Sequence, residues 1–128
     1  MGLDMYAYSG NAQEYENYIN DYDRSEIAYW RKHPNLHGWM ENLYESRMLD
    51  PFVGTGKIEV FNGIPLLLNL SDIEQLEQDI INKNLPPTQG FFFGSNRDEN
   101  SFEYDLEFVT KAKELLSQGQ LVWYDSSW

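Results

Sequence analysis

Lys57-Ile58-Glu59-Val60-Phe61-Asn62-Gly63-Ile64-Pro65-Leu66-Leu67-Leu68-Asn69-Leu70-Ser71-Asp72-Ile73-Glu74 is the stretch in which the chain changes its periodicity. Lys57 to Phe61 alternates polar and apolar residues, the period of a half-buried strand. Asn62-Gly63 follows, and both residues tolerate the positive φ of a type I′ turn, so the flanking runs read as a hairpin. Pro65 lacks a ladder donor, which places the second strand at an edge or starts it late. Ser71-Asp72-Ile73-Glu74 then has the form of a capping box, and Ile73, Leu76 and Ile80 continue at helical spacing. A hairpin running into a capped helix predicts an α+β fold.

Outward from this stretch, Leu3, Met5 and Ala7 alternate with Asp4, Tyr6 and Tyr8, a short strand pattern. Ser9 to Arg24 is acidic and Tyr-rich and is compatible with either a long loop or a weak helix. Ser25 is a candidate cap for a helix over Glu26–Lys32. Pro34 either kinks that helix or opens a second one, striped by Leu36, Trp39, Met40 and Leu43. Phe91-Phe92-Phe93 reads as a short buried strand after the Leu85–Gly90 turn. Asn100 begins a helix striped by Phe102, Leu106, Val109, Ala112 and Leu116, closed at Gln118-Gly119. Leu121 to Tyr124 is the last strand. The sum is one domain, residues 1–128. It has a small mixed or mainly antiparallel sheet of four or five strands, with helices packed mostly on one face.

Nine Lys+Arg against 21 Asp+Glu give a formal charge of −12. Such a field repels phosphate backbones and argues against sequence-specific nucleic-acid binding, while it favours solubility and basic partners. The chain has no cysteine, which removes disulfides, Cys–zinc sites and thiol nucleophiles. Asp4 stands where a signal peptide needs a basic start, and no apolar run approaches a membrane span. Tyr6 occupies the Ser/Thr position of a myristoylation motif. The expectation is a soluble, cytoplasmic protein without membrane contact; the oligomeric state stays open.

Val53-Gly54-Thr55-Gly56-Lys57-Ile58 superficially has the look of a phosphate loop. It has Pro51 and Ile58 where that loop needs Gly and Ser/Thr, so it is read as a turn. His33 and His37 are four apart, but Pro34 interrupts the register and no zincin Glu follows, so no metal is expected. Asp98, Glu99, Glu103, Asp105 and Glu107 read as the solvated, charged start of a helix. No nucleophile elbow or dinucleotide fingerprint occurs, and no cofactor is expected.

The remaining candidate is a composite. Tyr29 to Trp39 gathers two Trp, both His and an Arg-Lys pair within an acidic chain. Arg31 and Lys32 can neutralise an anion, and Trp30, Trp39, Phe91 or Tyr124 can stack on a ring. Thr88, Gln89, Ser95 and Ser126 can supply neutral hydrogen bonds, and His37 can titrate. The leading expectation is a non-catalytic binding module for a small anionic, nucleotide-like ligand. One alternative is an interaction protein that docks on a host protein through its acidic, Tyr-rich segment Glu14–Glu26. The other is a small enzyme using His37 and a carboxylate such as Asp98. The bland reading of the same residues is that Trp30 and Trp39 are core rings.

Met1-Gly2-Leu3-Asp4-Met5-Tyr6, Tyr29-Trp30-Arg31-Lys32 with His37 and Trp39, Pro87 to Ser95, and Tyr124-Asp125-Ser126-Ser127-Trp128 together look like anchors of one family. By these segments the chain resembles a family of small uncharacterised proteins of tailed bacteriophages and bacteria. The resemblance implies a phage-type accessory product acting in a bacterial cytoplasm. It carries no catalytic residue with it.

Overall fold

The computed structural model describes residues 2–21, 26–52, 54–86 and 98–128. Among them the element order is β1 (Asp4–Gly10), α1 (Ala12–Asp21), β2 (Glu26–Arg31), α2 (Pro34–Leu49), β3 (Leu66–Leu68), α3 (Leu70–Ile81), α4 (Asp98–Ser117) and β4 (Leu121–Ser127). The strands form one antiparallel sheet in the order β2-β1-β4-β3. Fold class is therefore α+β, as the alternation of periodicities predicts.

Period-two alternation assigns the two sheet faces. Met5, Ala7, Ala28, Trp30, Leu66, Leu68, Val122 and Tyr124 point to one side. They bury against Leu36 and Met40 of α2, Ile73, Leu76 and Ile80 of α3, and Phe108, Val109 and Ala112 of α4. The other side carries Tyr8 and Trp123, covered by Tyr18 and Tyr15 of α1. Tyr15 meets the Trp123 ring edge-on at 4.9 Å, and Tyr8 and Tyr18 lie at the same separation. Within the open segment 9–24, Ala12–Asp21 thus forms a helix, and Tyr15 and Tyr18 are packing residues.

Two local readings are corrected. Glu26–Arg31 is a strand, not a helix: Ala28 and Trp30 face the core while Tyr29 and Arg31 are exposed. Aromatic and β-branched residues fit a pleated surface better than a helix, and β1 supplies the ladder, pairing Met5 with Trp30 and Ala7 with Ala28. Lys32, at φ 56, ends the strand, and Pro34 then opens α2 at its first turn. The second correction concerns the hairpin. Lys57–Phe61 forms no strand with Leu66–Leu68; β3 pairs with β4 instead, Leu66 opposite Tyr124 and Leu68 opposite Val122. Gly63 does take positive φ, 74°, but its N–H donates to the Ser126 carbonyl. The turn therefore feeds the C-terminal strand, not a local partner.

The helix ends follow their chemistry more closely. Asn69, two residues before the predicted box, caps α3: its side chain accepts from Asp72 N–H, and the Asp72 carboxylate accepts from Asn69 N–H. Gly119, at φ 82, closes α4. The cap at Ser25, the turn through Gly90 and the Phe91–Phe93 strand lie outside the described residues, as does the Asn100 side chain.

Candidate functional site

Trp30 is buried, and its indole N–H donates to Oδ1 of Asp105 at 2.8 Å. The other oxygen, Oδ2, lies 2.8 Å from Nε2 of His33. All three side chains are at most 4 % exposed. Asp105 is not part of a solvated helix start. It sits on the inner face of α4, three residues after Phe102 and four before Val109, and that spacing is the signal that places it inside. The carboxylate fixes the β2–α2 corner to α4, an arrangement suited to structure because it is closed to solvent.

His37 stands one turn further along α2 and is fully buried. Its Nδ1 is 2.7 Å from the Tyr124 hydroxyl, and Ser126 is hydrogen-bonded to that same phenol. Burial lowers the His37 pKa to about 4, so the ring is neutral near pH 7. Burial first, and then Asp125 and Glu41, push Tyr124 well above the usual phenol range, against the Ser126 hydrogen bond. Phe61 lies over this chain, 5.3 Å from the His37 ring, with Trp128 edge-on at 6.5 Å. Trp128 is held by Nε1–H donating to the Phe61 carbonyl at 3.0 Å and by a reciprocal pair of bonds with Asn62.

The fold thus brings His37, Tyr124 and Ser126 together but separates them from the cations. Arg31 lies on the opposite sheet face from Trp30, exposed, with Nη1 at 3.3 Å from Asp4. Lys32 is exposed at the strand end. Trp39 is half-buried, and its N–H donates to Asp79 at 2.8 Å. Thr88, Gln89 and Ser95 lie outside the described residues, as does the side chain of Asp98. Among the described residues no group of three or more His, Asp or Glu is placed to hold a metal ion, and no helix is long and apolar enough to cross a membrane.

Concavities among the described residues lie elsewhere. A cleft of about 640 Å³ at β3 is lined by Leu66 and Leu67 together with Tyr15, Tyr44, Arg47, Met48 and Lys57. Arg47 is committed there, bonded to the Leu67 carbonyl and the Asp72 carboxylate. A second groove, about 380 Å³, is walled by Glu41 and Glu45 of α2 and by Ile58 to Phe61, with Trp128 at its end. Glu41 and Glu45 are neighbours one helical turn apart, and neither has an ion-pair partner among the described residues. Partial burial, and then the Glu45 charge, raise the Glu41 pKa. Glu59, across the groove, has only a loose, exposed contact with Lys57 at 3.8 Å. Sequence reasoning passed over this groove because Glu41 and Glu45 are two acids among 21, and only the fold brings Glu59 and Trp128 beside them.

Comparison with protein-family models, with curated proteins and with solved structures gives no match. The functional reading therefore rests on geometry and charge.

Proposed function

We propose that this protein is a non-catalytic binding module whose partner is basic, with the Glu41–Glu45–Glu59 groove as its contact. The observation that carries the reading is the uncompensated Glu41–Glu45 pair beside the aromatic end wall of Trp128. Like charges one turn apart disfavour the helix by a few tenths of a kcal/mol, and a cation in the groove offsets that repulsion. Trp128, partly exposed, adds a ring of the kind that attracts ammonium and guanidinium groups. The overall charge of −12 steers such a partner toward the molecule. Following the family resemblance, the setting we propose is a bacterial cytoplasm and the partner a host protein. The acidic docking surface moves from Glu14–Glu26 to α2, because Tyr15 and Tyr18 are turned inward.

Titration calorimetry with an end-blocked oligolysine tests this reading. Glu41→Gln/Glu45→Gln should weaken binding at least tenfold, whereas Glu14→Gln/Glu16→Gln, an equal change of charge on exposed α1, should not. Equal losses in both variants would mean that net charge alone attracts the peptide.

A second reading keeps the small anionic ligand and moves it to the β3 cleft, where Arg47 and Lys57 stand beside Tyr15 and Tyr44. Thermal stabilisation by a nucleotide that disappears in Lys57→Ala would favour this reading instead.

A further inference from the structure

Lys57 to Val60 has the alternation of a strand, runs without helix, turn or bend, and has no neighbour in the sheet. Successive N–H groups of such a stretch point to opposite edges. On one edge they are taken: Lys57 N–H donates to Thr55 Oγ1 at 3.2 Å, and Glu59 N–H donates to the Tyr44 hydroxyl at 3.1 Å. On the other edge, the N–H groups of Ile58 and Val60 have no partner among the described residues. The Val60 carbonyl accepts from Asn62 N–H at 2.8 Å. The Ile58 N–H and C=O and the Val60 N–H thus remain open together. Ile58 and Val60 are 42 % and 70 % exposed. Folded proteins usually cover or blunt an edge of this kind, because it is a template for another strand.

We propose that Ile58–Val60 is a docking edge for an extended, basic segment of a partner protein, which adds as a strand and directs a Lys or Arg side chain into the neighbouring Glu41–Glu45 groove. Ile58 to Phe61 form one wall of that groove, so the open backbone and the carboxylates are reached by one bound segment. Main-chain bonds supply affinity in strand addition, while alternate side chains supply specificity. Here Ile58 and Val60 offer apolar contact, and Glu41, Glu45 and Glu59 select positive charge. A second copy of this chain fits poorly, since it would set these carboxylates against their own equivalents. The inference rests on the reading of a basic partner given above, and adds the partner's conformation and main-chain contact.

The test uses three end-blocked peptides of equal charge: alternating Lys-Val, its fully N-methylated counterpart, and a helix-forming Lys-Ala sequence. The Lys-Val peptide is expected to bind at least tenfold more tightly than either control. At saturation it should slow amide exchange at Ile58 and Val60 at least tenfold. Equal affinity for the N-methylated peptide, with unchanged exchange, overturns strand addition. If that binding is nevertheless lost in Glu41→Gln/Glu45→Gln, the basic-partner reading stands alone. No binding by any of the three overturns both. Concentration-dependent dimerisation that protects Ile58 and Val60 without peptide overturns the proposal in favour of self-pairing.

Discussion

The indole N–H of Trp30 donates to Asp105 Oδ1 at 2.8 Å, joining the edge strand β2 to helix α4 across 75 residues of chain. The same carboxylate holds His33 on its second oxygen. A buried carboxylate is tolerated when hydrogen bonds satisfy it, and removing it leaves its donors unpaired in a dry interior. Asp105→Ala should therefore destabilise the fold by about 3 kcal/mol or more, and Asp105→Asn by less. Chemical denaturation measures both; an Ala variant within experimental error of wild type would remove Asp105 from its structural role.

Trp123 provides the contrasting case. It is equally buried, but its Nε1–H has no hydrogen-bond partner among the described residues. Phenylalanine at 123 removes an unsatisfied donor as well as ring volume, whereas phenylalanine at 30 strips a bond from Asp105. Trp30→Phe should cost about 1–3 kcal/mol more than Trp123→Phe. Equal or reversed losses in parallel urea titrations would contradict this pairing.

His37 makes the stability depend on pH. Its folded pKa, about 4, lies below the unfolded value of 6.5, so the unfolded chain binds more protons between these values. Stability is then full above pH 6.5 and falls as the pH drops toward 4. Between pH 7.5 and 5 this one group should account for roughly 2 kcal/mol of loss. His37→Gln should flatten that part of the profile, measured by denaturation at both pH values. An unchanged slope would mean that the imidazole titrates normally.

Glu41 works in the opposite sense. Its raised pKa, caused by burial and by Glu45, means that the folded state disfavours the charged form. The cost is present above that pKa and vanishes when the carboxyl protonates. Glu41→Gln should raise the unfolding free energy slightly at pH 7, by about a few tenths of a kcal/mol after solvent screening. It should do nothing near pH 3, and it should weaken basic-peptide binding. A variant that is less stable at pH 7 would show that Glu41 has a compensating partner.

Gly54 is required by space. A Cβ there would stand 2.2 Å from the carbonyl oxygens of both Arg47 and Met48, where the chain folds back over the end of α2. Gly54→Ala should cost about 3 kcal/mol through backbone displacement. A melting temperature equal to wild type would show that the loop relaxes freely.

The sequence was most legible where the signal was local. β1, the α3 stripe, the Gly119 stop and β4 follow from alternation, helical spacing and positive-φ chemistry within a few residues. Glu26–Arg31 was misread because Ile27 and Trp30 also suit a helix, and only the β1 ladder decides between the two. The Asn62-Gly63 signal was real as a turn, but its hydrogen bond goes to Ser126, a pairing that no local pattern encodes. Of the composite residues, His37, Tyr124 and Ser126 do meet, but in the buried core. Arg31 left the group because strand alternation, once β2 is a strand, sends it to the opposite face from Trp30.

The most direct test of the basic-partner groove is a residue-resolved amide NMR titration with the Lys-Val peptide. Binding at the groove predicts that the largest shift changes fall on the amides of Ile58 to Phe61, on Glu41 and Glu45, and on the Trp128 indole N–H. Changes centred on Tyr15, Arg47 and Leu66–Leu67 would contradict the assignment and place the interaction in the β3 cleft.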